Sequence, residues 1–229
     1  MKARVPGPRD EPGTPLQSST TVIDPAILYF GTPVALLSTI DAAQRPNLAP
    51  MSSIFWLGHT AVLGMGTRSQ TAANLRSTCI IVINLPSVNQ VDAVDRLAFT
   101  TGRDPVPSSK IDVGYRHVTD KFAHAGLTPF TSSPGEPPRA LECPVAPEGD
   151  VIDTHPLATG YPDEPSGASI FQIRVTRVHV HAAIQDATHP DRIDPDRWRP
   201  LVMTFQKFYG LTAQVHASRL ATVDEEWYR

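Results

Sequence analysis

A chain of 229 residues, 41% hydrophobic and 19% charged, can hold one sizeable core or two small ones, and one domain is the expectation. Its formal net charge of -3, from 20 basic and 23 acidic residues spread along the sequence, leaves no electrostatic footprint for nucleic acid or an anionic membrane. Two cysteines make neither a metal pair nor a disulfide framework, and no apolar run approaches a membrane span, so the chain reads as a soluble, cytoplasmic domain whose ligands are small molecules and protein partners.

Residues 1–24 read as a loose tail, because Met1 to Thr21 is rich in Pro, Gly, Ser and Thr and has no continuous apolar segment like a signal peptide. The body is placed at 25–215, followed by an extension at 216–229. Strands are expected at Val34 to Ile40, Leu48 to Leu57, Ala61 to Met65, Cys79 to Leu85, Leu141 to Val145 and Ala168 to Ile184. Most of these runs are rich in Val and Ile and bounded by Gly, Pro or Asn, an antiparallel barrel pattern. A ragged helical stripe runs from Ser87, a candidate cap, to Phe99, with shorter helices at Asp120 to Ala125 and Asp194 to Trp198. Cys79 and Cys143 read as reduced core thiols. Within Gln172 to His181 the apolar alternation slips between Val175 and Val178, and a bulge near Thr176 would restore one inward face. His179 and His181 then share the opposite face. No Cys or carboxylate stands near them at a ligand spacing, so they read as exposed or hydrogen-bonded histidines and no metal is expected.

The most informative stretches are Asn47 to Ile54 and Gly64 to Arg76. The second is a strand, a glycine turn and a helix start. A phosphate there would meet free backbone N–H groups, the positive end of the helix dipole, the hydroxyls of Ser69 and Thr71 and the guanidinium of Arg68. Gly64-x-Gly66 is not a dinucleotide fingerprint: Ser69 stands where the third glycine belongs, and no alternating strand and helix units follow. Taken alone, this stretch also fits a plain hairpin loop. The first stretch has no ionisable side chain and suits a flat ring lying along its backbone, with Ser52, Ser53 and nearby amides as donors to one ring edge. Together they read as a site for flavin mononucleotide (FMN). The chain has no G-x-S-x-G elbow, H-E-x-x-H or P-loop. Hydride transfer between stacked rings needs none of these, so the catalytic residues stay unassigned beyond Ser52 and Ser53 as contacts near flavin N5 and O4.

Further motifs follow in one order: Thr32 to Thr39, Arg45-Pro46-Asn47-Leu48-Ala49-Pro50, Ile83-Asn84-Leu85-Pro86-Ser87, Val94 to Gly102, Asp120 to Pro129, Pro137 to Pro144 and Arg199 to Leu211. With them the chain, from about Tyr29 to Thr212, resembles the flavin reductase-like family of FMN-binding split barrels, near the reductase components of two-component monooxygenases. The resemblance implies a mainly β fold with flanking helices, an antiparallel Greek-key split barrel, and a homodimer. It also implies an NAD(P)H-dependent flavin reductase using FMN, with NADH or NADPH as co-substrate, that supplies a partner monooxygenase. Two other activities stay open: an FMN enzyme acting directly on a small organic substrate, and a non-enzymatic flavin electron carrier. Carried over by residue, Asn47, Leu48, Ala49, Pro50, Met51, Ser52 and Ser53 hold the ring, while Thr67, Arg68, Ser69, Thr71 and Asn74 hold the phosphate and ribityl chain. Tyr209, with Phe205 and Phe208, belongs to a closing aromatic motif near flavin or subunit contact, against simple core packing. Asn84 reaches the phosphate region or satisfies a turn. Lys121 and Phe122 flank the nicotinamide approach, or are a surface lysine and a core phenylalanine. The chain departs from the family after Cys143-Pro144, where 147–167 reads as a long loop, with His155 and Tyr161 as candidate substrate contacts or parts of a solvated excursion.

Overall fold

The computed structural model describes residues 20–157 and 167–228, so residues 1–19 of the expected tail, and Tyr161, lie outside the described part. In chain order the described elements are β1 (Thr32–Pro33), β2 (Ala35–Ile40), β3 (Pro46–Met51), β4 (Ile54–Leu57), β5 (Thr60–Gly66), α1 (Gln70–Thr78) and β6 (Ile80–Asn84). After them come α2 (Val91–Arg96), β7 (Thr100–Thr101), α3 (Ser108–Ile111), β8 (Arg116–His117), α4 (Lys121–Ala125), β9 (Pro129–Phe130) and β10 (Arg139–Ala140). Two long strands, β11 (Val145–Pro156) and β12 (Ala168–Val180), and the pair β13 (Leu201–Thr204) and β14 (Lys207–Gly210) complete the described strands and α-helices.

The main sheet is antiparallel, in the order β3-β2-β6-β11-β12-β5-β4. Its two edge strands, β3 and β4, are neighbours in sequence, joined by Ser52 and Ser53 alone. A seven-stranded sheet can meet that connection only by curling until its edges approach, which gives a barrel with a seam. The expected single strand Leu48 to Leu57 is therefore two strands. Ser52 and Ser53 are the corner between them, and Gly64 N donates to Ser53 O across it at 2.9 Å.

The curled sheet buries apolar side chains on both faces. Ala35, Leu37, Leu63, Leu75, Phe171 and Ile173 pack in one cluster with α1, whereas Leu36, Leu48, Val94, Leu97, Phe122 and Leu127 pack in a second beneath α2 and α4. Strand β2 alternates between the two and is buried along its whole length, its Ser38 and Thr39 included. Each fully buried Leu or Phe contributes about 1.5–3 kcal/mol relative to exposure. Ser87 caps the turn before α2 in a reciprocal box with Gln90, as its position suggested. Asp120 caps α4 by accepting from Ala123 N at 2.9 Å.

Four local expectations are corrected. Residues 147–156, read as part of a loop, belong to β11, which pairs with β12 along its length. Leu141 to Pro144, read as the start of a strand, is a turn closed by Cys143 N donating to Ala140 O. Asp194 to Trp198 is a turn rather than a helix. Cys79 is exposed in a left-handed cap at the end of α1, whereas Cys143 is buried, and burial pushes its thiol up to about 12. The slip in β12 is a bulge: Glu148 faces Arg177 and Gly149 faces Val175, leaving Thr176 unpaired. A β-carbon at Gly149 would stand 2.5 Å from Arg174 O, so only glycine fits opposite that bulge. His179 Nε2 lies 2.7 Å from Glu148 Oε1, and His181 Nε2 lies 2.8 Å from Leu141 O.

Candidate functional site

Strand β3 has a ladder partner on one side only, and its uncovered edge builds the candidate cleft. Pro46 and Pro50 carry no N–H, so they occupy positions where an edge backbone turns away from its neighbour. Leu48 shares their parity and turns its own N–H and C=O outward, while its side chain is fully buried in the core. Asn47, Ala49 and Met51, with Pro50, line a chamber of about 180 Å³. The first turn of α1 (Ser69, Gln70, Thr71) closes one end, and Leu97 to Gly102 with Lys110, Tyr115 and Lys121 form the remaining wall. A second, more polar chamber of about 370 Å³ continues past Asn47, Gln70 and Gly102 toward Asn74, Asp104, His117 and Thr119.

The turn before α1 is held in place by two arginines. Arg76 donates to Thr67 O at 2.9 Å and to Ser169 Oγ at 3.0 Å, and Arg103 donates to Arg68 O at 3.0 Å. Ser69 Oγ accepts from Ala72 N, so its hydroxyl caps the helix. The N–H groups of Gln70 and Thr71 have no partner among the described residues, which leaves two donors at the positive end of a nine-residue helix. Arg68 is exposed, and its guanidinium has no hydrogen bond or ion pair among the described residues.

Inside the cleft, Asn47 Nδ2 donates to Thr71 Oγ1 at 3.1 Å, but the buried Asn47 Oδ1 has no donor among the described residues. A β-carbon at Gly102 would collide with that oxygen, so glycine is what lets the wall approach it. An orphaned buried acceptor costs about 1–3 kcal/mol unless a ligand or water supplies the proton. Across the chamber, Lys121 is 4% exposed, and its ammonium has no hydrogen bond or ion pair among the described residues. Burial first, and the Lys110 ammonium second, bring its pKa down from 10.5 to about 8. No carboxylate lines this chamber among the described residues.

Of the residues expected from sequence, Asn47, Ala49, Pro50, Met51, Ser69 and Thr71 meet in the first chamber, and Asn74 lines the second. Asn74 is tied to Thr39 Oγ1 and Gln70 Nε2. The Thr67 hydroxyl is turned to Ser169 Oγ at 3.1 Å and lines neither chamber. Ser52 and Ser53 lie one step beyond the chamber's lining. Tyr209 is exposed on the small β1-β13-β14 sheet, near neither chamber's lining. Asn84 is buried and fully engaged, donating to Leu36 O and accepting from Ala140 N, so it staples strands. Phe122 is core, whereas Lys121 is buried in the chamber wall and has no ion pair among the described residues. His155 bonds Asp153 and Gln172 on exposed β11, away from the cleft. Sequence reasoning missed the wall from Leu97 to Gly102, together with Gln70, Arg103, Lys110 and Tyr115. The quoted motif ending in Thr100-Thr101-Gly102 was the one available signal.

Residues 27–212 match the family model described as the flavin reductase like domain. The chain belongs to the flavin reductase-like family. It is 32% identical over 193 residues to the uncharacterized protein YdfE of Bacillus subtilis, covering 84% of this chain and 90% of that one. Its fold is similar to the flavoredoxin of Desulfovibrio vulgaris (TM-score 0.69, 19% identity, 89% of this chain and 100% of that one). It is similar also to nitrilotriacetate monooxygenase component B from Bacillus cereus (TM-score 0.67, 19% identity, 88% and 100% covered). The split-barrel description applies to this family fold, and its flanking helices and large antiparallel sheet are those found here.

Lys121 also makes a stability prediction whose sign is fixed. Its folded pKa lies below its unfolded one, so between about pH 8 and 10.5 the unfolded chain binds more protons and stability rises with pH. Below pH 8 the full cost of the buried charge is present. Lys121→Met should therefore raise the unfolding free energy at pH 7 by roughly 1–3 kcal/mol, with the gain shrinking toward pH 10. Urea denaturation at pH 7 and pH 9.5 measures this; a variant less stable at pH 7 would contradict it.

Proposed function

We propose that this protein is an NAD(P)H-dependent flavin reductase that binds FMN in the cleft between β3 and the Leu97–Gly102 wall and supplies reduced FMN to a separate monooxygenase in the cytoplasm. One observation carries the reading: donors at Gln70 and Thr71 that are partnerless among the described residues stand at the same chamber as Asn47 Oδ1, an acceptor equally unmet among them. An anion with a hydroxylated or N–H-bearing neck satisfies both, and a ribityl phosphate is such a group. The chemistry of the family's charged turn and apolar slot therefore fits FMN.

FMN, when bound, would supply the two-electron centre, so the protein needs no acid or base of its own. Arg68 and the first N–H groups of α1 would hold the phosphate, with Arg76 and Arg103 keeping the turn in shape. Asn47 would receive a proton from the ribityl chain or ring. Met51, Met65 and Leu97 would keep water from the ring, and the outward backbone at Leu48, continuing to Ser52 and Ser53, would meet its polar edge. Phe30, Phe55, Leu57, Phe205 and Tyr209 are exposed beside the seam and the small sheet. Such surface favours a homodimer, with Tyr209 in the subunit contact rather than in the cleft of its own chain. The likeness to a monooxygenase component B supports the oxygenase partner.

Oxidation of NADH or NADPH, followed by the loss of reduced-nicotinamide absorbance, should scale with added free FMN. Slow nicotinamide oxidation by a protein that keeps a tight yellow cofactor would instead favour direct action on an organic substrate, or electron carriage. Arg68→Ala should weaken FMN binding by roughly 1.5–3 kcal/mol in a fluorescence titration. Unchanged affinity would remove Arg68 from the phosphate site.

A further inference from the structure

We propose that Lys121 is a positioning residue for charge: its ammonium, backed by Lys110, is the counter-ion for the negative charge that reduction places on a flavin in this cleft, and it thereby tunes the cofactor's potential. The inference rests on the flavin reading above, and on four observations independent of the family match.

First, the residue is 4% exposed, at the start of a five-residue helix whose next residue, Phe122, anchors the core. Second, an isolated buried ammonium is costly, and natural structures almost always pair it. Here it is unpaired among the described residues. The nearest acid in sequence, Asp120, is occupied in capping Ala123 N. Third, Lys110 lines the same chamber, 4.9 Å above the Tyr115 ring, and opposes the Lys121 charge rather than relieving it. Fourth, the opposite wall, from Asn47 to Met51, is free of ionisable groups, so a ring lying there faces two cations and no anion. A core position that needed only packing would be served better by Met or Leu. The charge is retained against its folding cost, and the chamber it faces supplies a use.

The use follows from charge balance. Transfer of a hydride equivalent, two electrons and one proton, from a reduced nicotinamide leaves the oxidised nicotinamide and one added negative charge in the cleft. A fixed cation at low effective dielectric is worth most where charge develops and needs no reorganisation when it does. Lys121 therefore has little to hold before reduction and a full charge afterward. It favours the reduced over the oxidised cofactor and is distinct from Arg68, whose phosphate partner is equally anionic in both states.

The test is an anaerobic measurement of the midpoint potential of bound FMN against a reference dye, with FMN affinity measured in parallel. It compares wild type, Lys121→Met, Lys121→Arg and Lys110→Met. The expectation for Lys121→Met is oxidised-FMN affinity within about threefold of wild type and reduced-FMN affinity lower by about tenfold or more, a fall of about 30 mV per tenfold for a two-electron couple. Lys121→Arg should keep most of the wild-type potential, and Lys110→Met should shift it in the same direction by less. A purely structural lysine would alter stability and leave the potential alone. Bound FMN with an unchanged potential in Lys121→Met overturns the inference. Failure of the wild type to bind FMN would overturn instead the flavin reading beneath it. Should Lys121→Met fold poorly, Lys121→Gln and Lys110→Met decide by the same readout.

Discussion

Two residues, Ser52 and Ser53, join the opposite edges of one seven-stranded antiparallel sheet, and the molecule's organisation follows from that connection. The sheet must curl until its edges meet, but the corner makes only a local closure, so β3 keeps an unladdered side. An open edge is normally a hazard for unwanted pairing. Here prolines at 46 and 50 remove two of its donors, and the Leu97–Gly102 wall stands against it. The space left between edge and wall is the cleft. The same curl carries β5 into the turn that starts α1, which sets the helix's positive end at one end of the cleft. Fold and site therefore share one cause.

Polar groups that a stable core would avoid gather at this place. Among the described residues Asn47 Oδ1 is buried without a donor, Gln70 and Thr71 keep free N–H groups, and Lys121 holds a buried, unpaired ammonium. Elsewhere comparable groups are spoken for: Asn84 is saturated by Leu36 and Ala140, and Glu148 is shared among Arg177, His179 and Ser132. Unsatisfied Ser38 Oγ, Glu136 Oε2 and Arg139 Nε lie outside the cleft, so orphaned atoms alone do not mark it. Their combination with a chamber and a helix terminus does.

The sequence revealed most where local chemistry governs. Apolar runs located β2, β5, β6 and β12, Ser87 announced its cap, and the phase slip between Val175 and Val178 announced a bulge. Strand β11 was hidden because Pro147, Gly149, Asp153 and Pro156 look like loop residues. Pro147 is tolerated because β6 pairs only from Glu148 onward, and Gly149 is required opposite the bulge. At the site, the half built from contiguous sequence was legible: Asn47 to Met51, and Ser69 to Thr71. The other wall comes from residues 97–121, brought across by packing of α2 and α4, and carries no period that sequence could expose. Of the two alternatives for Lys121, the surface one fails for the same reason, since burial is a tertiary property. The hydroxyl partner of Thr67, Ser169, is 102 residues away in sequence and therefore equally invisible there.

The central claim is that the edge of β3 and the first turn of α1 hold one flavin between them. A crystal of the wild-type protein soaked with FMN tests it most directly. The account predicts the ring against Asn47 to Met51, with Lys121 facing it, and the phosphate on the N–H groups of Gln70 and Thr71 with Arg68 folded over it. Flavin bound elsewhere, or that helix terminus left empty while Arg68 points into solvent, would contradict it.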